Sequence, residues 1–208
     1  MSHLIIIIGR QLGAGGQIVG RRLAEIFNAQ FYDRELLNLA AKESGFSEKF
    51  IEQNDESKSF LKPLSHIRAL QLLGLGLYND EFSQESLFQF QSEAIRKAAE
   101  SGPCVFVGRG ADYVLRDYDN VYNIFLTAPL TDRVKRVMER LGYDEKKATS
   151  FLHRKERQRR DFYNFFTGRQ WGVAENYDLC IDSSILGDEG TAQFIADFIR
   201  KGKQQQQP

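Results

Sequence analysis

A glycine-rich turn, Arg10-Gln11-Leu12-Gly13-Ala14-Gly15-Gly16-Gln17, stands between the apolar run Leu4-Ile5-Ile6-Ile7-Ile8 and the helically spaced Ile18, Val19, Leu23, Ile26 and Phe27. Glycines permit tight turns and let main-chain N–H groups approach a ligand. The N-terminus of a following helix adds partial positive charge, so an anion such as phosphate suits the place. The other use of such a turn is close packing of strand against helix. In the phosphate-loop pattern GxxxxGK[ST], Arg10 falls on the first glycine, Gly15 on the second, Gly16 on the lysine and Gln17 on the Ser/Thr. A dinucleotide fingerprint GxGxxG begun at Gly13 meets Ile18 in place of its third glycine, with Gly20 two residues late. Neither pattern is complete, so phosphate binding rests on the strand, loop and helix context. A valine at Gly15 is expected to bar phosphate from the loop amides and to leave the unliganded fold intact.

Three further groups could act on the same kind of ligand. Arg109 lies between Gly108 and Gly110 at the end of the apolar run Cys104-Val105-Phe106-Val107. A guanidinium is a two-pronged donor to phosphate, and flanking glycines leave an anion room; a structural pair with a carboxylate is the other use. Asp33 ends the short run Gln30-Phe31-Tyr32, either as a Mg2+ or substrate contact or as the N-cap of a helix running to about Ser44. Arg154, Lys155, Arg157, Arg159 and Arg160 crowd one helical stretch and cannot all point one way. Some are solvated or paired with Glu156 and Asp161, or the helix closes over a polyphosphate. His66 has no neighbour at metal-ligand spacing, and no protein metal site is expected.

These residues need elements to position them. Strand-like runs at 4–8, 30–32, 104–107, 120–126 and 176–182 alternate with helical patterns, which predicts a mostly parallel sheet covered on both faces. Pro129 is expected just before an N-cap, with one helix from Thr131, another from Asp144, and a last from Gly190 to Ile199. The aromatic group Phe162, Tyr163, Phe165, Phe166 and Trp171 is read as a hinge and packing element. Residues 45–84 break the alternation with a helical excursion, either a mobile flap or a fixed hairpin, which includes a polar turn at Asn79-Asp80-Glu81. The glutamine-rich tail 201–208 is expected to be disordered. The 28 basic residues balance 28 acidic ones, which excludes any global attraction to nucleic acid or anionic membrane. Cys104 and Cys180 sit in apolar runs and are expected to be buried; with no leader or long apolar span in view, a cytoplasmic location is expected.

Taken together the chain resembles the cytidylate kinase-like family, a branch of the nucleoside monophosphate kinases. The likeness rests on Arg10 to Gly16, Phe31-Tyr32-Asp33-Arg34-Glu35-Leu36, Val107 to Asp112, Arg133 to Gly142, Glu156 to Tyr163, Thr167-Gly168 and Asn176 to Leu179. It implies a three-layer α/β fold of the P-loop NTPase type, with a five-stranded parallel sheet in the order 2-3-1-4-5. It further implies one kinase-like domain over 1–200: a core of 1–44 and 85–200, a helical monophosphate-binding insertion at 45–84, and a lid at 143–170. ATP and Mg2+ would serve as donor and cofactor, and a nucleoside monophosphate, CMP or dCMP first, as acceptor. By the same likeness the loop Arg10, Gly13, Ala14, Gly15, Gly16 and Gln17 would hold the donor; apart from the likeness, Arg10 is expected to replace the absent lysine, so that loss of its charge weakens ATP more than AMP or adenosine. Asp33, Arg34, Arg109 and Asp112 would hold the acceptor, and Arg157, Arg159 and Arg160 would neutralise the moving phosphoryl group. Small nucleotides are the implied partners. The chain departs from the pattern at Gly16, at Gln17, and at Val107, where cytidylate kinases carry an aspartate. A nucleotide-binding regulator or sensor without turnover is therefore the rival expectation, and a Rossmann-type dinucleotide binder is disfavoured by its failed fingerprint.

Overall fold

Parallel strands buried on both faces need branched apolar residues throughout, and Ile5 to Ile8 meet that need: all four are buried. They form most of β1 (Ile5–Arg10), the central strand of the sheet. The computed structural model describes residues 3–33 and 80–205. Within them β2 (Gln30–Tyr32), β3 (Cys104–Val107), β4 (Val121–Thr127) and β5 (Leu179–Asp182) complete a sheet of order β2-β3-β1-β4-β5. Every pairing is parallel; Ile8 lies opposite Val107 on one side and Ile124 on the other. The expected sheet and its order are thus found.

The helices are α1 (Gly16–Ile26), α2 (Asp80–Ser101), the short α3 (Ala111–Val114), α4 (Leu130–Leu141), α5 (Glu145–Thr167) and α6 (Ser183–Gln205). One core joins Ile6, Ile8, Val105, Val107, Ile124 and Leu126 from one face of the sheet to Val19 and Leu23 of α1 and Ala192, Ile195 and Ile199 of α6. Each fully buried aliphatic side chain contributes about 1.5–3 kcal/mol. The interleaved Ile5, Ile7, Cys104 and Phe106 are buried too, as period-two alternation between two covered faces requires.

Several boundaries differ from expectation. Asp80 and Glu81 begin α2 instead of forming a turn. Pro129 is itself the N-cap of α4, where its fixed φ suits a helix entry. The aromatic run packs as expected, Phe166 against Phe162 and Phe165, and Trp171 against Phe125, while α5 continues through Phe166 until Gly168 adopts a left-handed cap. The final helix begins at Ser183, bends at Gly187, and runs past Lys201 to Gln205, into the stretch expected to be disordered. Cys180 is exposed, because β5 is an edge strand; Cys104 is buried, and burial pushes its thiol up to about 12. Two compact units are distinguished, one of residues 1–33 with 95–208 and the other of 34–94. Most of the second, including Arg34, His66 and the expected insertion, lies outside the described residues. Among the described residues no helix is long and apolar enough to cross a membrane.

Candidate phosphate-handling site at the carboxyl edge of the sheet

In a parallel sheet the carboxyl ends of the strands gather at one edge, the usual place for ligand groups. The loop after β1 is fastened there at both ends. Gln11 N donates to Leu126 O at 3.0 Å, and the buried Ser183 hydroxyl donates to Ala14 O at 2.9 Å. Gly13 and Gly15 are left-handed, with φ of 85° and 75°. The helical pattern then starts with Ile18 N and Val19 N bonding to Gly15 O. Among the described residues the amides of Gly15, Gly16 and Gln17 have no backbone partner, as expected for the first turn of α1, where N–H groups can serve an anion.

Gly15 also has a structural duty that its sequence does not disclose. A Cβ there would strike Asp188 Oδ1 and come within 2.8 Å of Arg136 Nη1, two atoms that are themselves 2.8 Å apart in an ion pair. A valine at Gly15 would therefore strain the backbone and displace that pair. The expectation that it leaves the unliganded fold intact is withdrawn on this ground.

Gln17 and Asp33 meet: Gln17 Nε2 donates to Asp33 Oδ2, joining the first turn of α1 to the end of β2. Asp33 is buried. At the end of β3, Gly108, Arg109 and Gly110 are consecutive left-handed residues with φ of 76°, 66° and 65°. A non-glycine residue held in that region is uncommon and costs about 1–3 kcal/mol, and such positions concentrate at functional sites. Arg109 is buried at this bend.

Asp112 follows on α3, buried, and accepts a 2.5 Å hydrogen bond from Tyr163 Oη of α5. Burial pushes its carboxyl above the ordinary carboxylate value, against the opposing pull of Tyr163, two backbone amides and the charge of Arg169. Burial likewise pushes up the phenols of Tyr163 and Tyr177, so both stay protonated as donors. A raised carboxyl pKa means that the folded chain binds more protons than the unfolded one between the two values, so stability falls as pH rises through that window. Asp112→Asn removes this penalty and keeps an acceptor for Tyr163. In thermal denaturation the variant is expected to gain on the wild-type protein as pH rises from about 4, the unfolded carboxyl value. Parallel stability curves would show that the carboxyl is not perturbed.

The arginines of α5 separate by face. Arg159 Nη1 donates to Arg10 O at 3.4 Å, which brings it to the sheet edge, whereas Arg157 and Arg160 are exposed. Two buried polar contacts flank Arg159 on the same side of the helix. Glu156 is paired with Arg133 of α4, itself bonded to Ala128 O at 2.8 Å, and Tyr163 is bonded to Asp112. The structure thus brings Arg10, the loop Gly13 to Gln17, Asp33, Arg109 and Arg159 to one edge. Asp112 serves from behind as an anchor for α5. Glu156 pairs across helices with Arg133 and Tyr163 of the aromatic group holds Asp112, while Arg169 and the Arg136–Asp188 pair carry no sequence signal beyond local charge density.

Residues 5–185 match the sequence profile of the cytidylate kinase-like family. A crystal structure of an uncharacterised protein from Eubacterium ventriosum ATCC 27560 has 28% identity and a TM-score of 0.71, with 95% of this chain and 98% of that one covered. Shikimate kinase from Bacteroides thetaiotaomicron has 12% identity and a TM-score of 0.55 over 96% of this chain and 99% of that one. A gluconokinase from Sinorhizobium meliloti 1021 has 15% identity and a TM-score of 0.52 over 98% and 97%. The last two show the fold, that of the P-loop kinases. A comparison with curated protein sequences gives no significant match.

Proposed function

The chain belongs to the cytidylate kinase-like family, and from that premise we propose that it transfers the terminal phosphoryl group of ATP to a nucleoside monophosphate, with CMP or dCMP the first acceptor to test. The observation that carries this reading is that Arg159 bonds to Arg10 O at the start of a loop whose Gly15, Gly16 and Gln17 amides have no backbone partner among the described residues. Phosphoryl transfer asks a protein mostly to position and to neutralise, and amides with guanidinium groups supply both.

In this reading Gly13, Ala14, Gly15 and Gly16 wrap the donor phosphates through their backbone. Arg109 grips the acceptor phosphate, and Arg159 meets the group in transit. A donor bound with Mg2+ would bring charge neutralisation that the chain itself supplies only in part. Asp33 fits as the ion's contact on this chain: it is a buried carboxylate at a strand terminus, and Gln17 engages only one of its two oxygens. Arg34 completes the acceptor side, Arg157 and Arg160 the lid, while Asp112, expected on the acceptor side, instead anchors α5 through Tyr163. Arg109→Lys, which keeps the charge and loses the fork, is expected to weaken monophosphate binding by about 1–3 kcal/mol. Calorimetry with CMP and cytidine checks it, since equal affinity of the wild-type protein for the two would remove the basis of that role.

A second reading has a specific observation behind it. Gln17 occupies the hydroxyl position of the phosphate-loop pattern and spends its side chain on Asp33. A binding protein that senses nucleotide without turnover would tolerate that. A titration panel of ATP, NAD and the nucleoside monophosphates, with and without Mg2+, followed by product assay, separates the readings. The assay adds shikimate and gluconate, after the names of two structural neighbours. Micromolar ATP binding without transfer to any acceptor would leave the sensor.

A further inference from the structure

The loop has a lysine-sized gap in its pattern, and the structure shows what lies across it. A Cβ built on Gly16, the lysine position, would stand 2.7 Å from Arg10 Cγ, 3.1 Å from Arg10 Cβ and 3.4 Å from Arg10 Cδ. A Cβ built on Gly108 would collide with Arg10 Nη1 and stand 3.0 Å from Arg10 Cζ. The Arg10 side chain therefore leaves β1, passes over Gly16, and ends with its guanidinium against Gly108 at the terminus of β3. Both neighbours must be glycine for it to lie there. Among the described residues no carboxylate pairs with Arg10, so a half-buried cation is held without a counter-charge between the loop and the Gly108–Arg109 bend.

Arg10 occupies the place of the first glycine in the pattern, and Gly16 the place of the lysine. We infer that the cation and the glycine of the phosphate loop have exchanged ends: Arg10, from the strand side, holds the β- and γ-phosphates of a nucleoside triphosphate in place of a lysine from the helix side. The inference rests on the kinase reading and deepens it. A guanidinium fork engages two phosphate oxygens at once, and its position beside Gly108 sets it where donor and acceptor phosphates would adjoin. A lysine at Gly16 and the arginine at position 10 exclude each other, because their stems claim the same space. An exchange of the two residues should therefore work where either change alone does not.

The test uses the full chain in four forms: wild type, Arg10→Gln, Gly16→Lys, and the double variant Arg10→Gly with Gly16→Lys. Each is titrated with MgATP and with AMP by calorimetry, after circular dichroism and thermal denaturation confirm folding. Arg10→Gln keeps most of the stem and loses the charge. It is expected to lose about 10- to 100-fold in MgATP affinity, with AMP changed by less than about threefold. Gly16→Lys alone is expected to bind MgATP more weakly than wild type, and the double variant to recover to within about fivefold of it, as coupled neighbours do. MgATP binding by Arg10→Gln equal to wild type, or a folded double variant no better than Arg10→Gln, would overturn the exchange and leave the kinase reading standing. Absence of MgATP binding by the wild-type protein would overturn both.

Discussion

Arg159→Ala is expected to lower kcat about 10³-fold or more while binary ATP affinity changes little, the pattern of a group whose interaction matures in the transition state. Its contact with Arg10 O is long at 3.4 Å and places the guanidinium at the start of the loop. Its direction does not depend on the loop closing, because Glu156 and Tyr163 fix the same face of α5 on either side of it. Arg157 and Arg160 are exposed in this arrangement, so alanine there is expected to cost less than at Arg159. Steady-state rates for the three variants with saturating MgATP and CMP decide the order. If all three alter solubility and salt response but no rate, α5 presents a solvated face and the catalytic assignment fails.

Glu156→Ala is expected to destabilise the fold by about 3–5 kcal/mol, because it strands the buried guanidinium of Arg133. For a chain of this length that corresponds to a fall in Tm of about 6–20 °C. The site should feel the loss as well. Gly13 rests against the backbone of Arg133, where a Cβ would lie 2.9 Å from Arg133 Cα, so α4 is the floor beneath the loop. Replacing both partners by apolar residues of similar size, Arg133→Met with Glu156→Leu, is expected to recover most of the stability, since it removes the desolvation cost along with the attraction. Thermal denaturation of the single and double variants tests both statements. A fall of less than about 1 °C for Glu156→Ala would mean that water reaches the pair.

Much of the site was legible because it follows from local chain chemistry. Ile5 to Ile8 read as a buried strand, Gly13 to Gly15 as a turn into a helix, and Asp33 and Arg109 stand at strand ends because apolar runs stop there. In an open parallel sheet all such ends share one edge, so their convergence follows once the strands are recognised. The orientation of helices is different. The charge density of α5 was visible, but which of five basic residues faces the loop depends on its rotation, and Asp112 and Arg133 fix that rotation from 51 and 23 residues away in sequence.

The sequence by itself determined the fold class and, through its family likeness, the strand order, and it pointed to the loop, Arg109 and Asp33 as candidate site residues, because hydrophobic period and glycine placement act over a few neighbours. It also marked the missing lysine and hydroxyl as a departure. Only the tertiary structure decided that a Cβ at Gly16 would crowd the Arg10 side chain, that Gly15 makes room for the Arg136–Asp188 pair, that Gln17 is engaged with Asp33, and that Arg159 bonds to Arg10 O while Arg157 and Arg160 are exposed. Each of these turns on side chains from elements far apart in the chain competing for the same few ångströms, and close packing, which no one-dimensional pattern encodes, settles which of them gets the space.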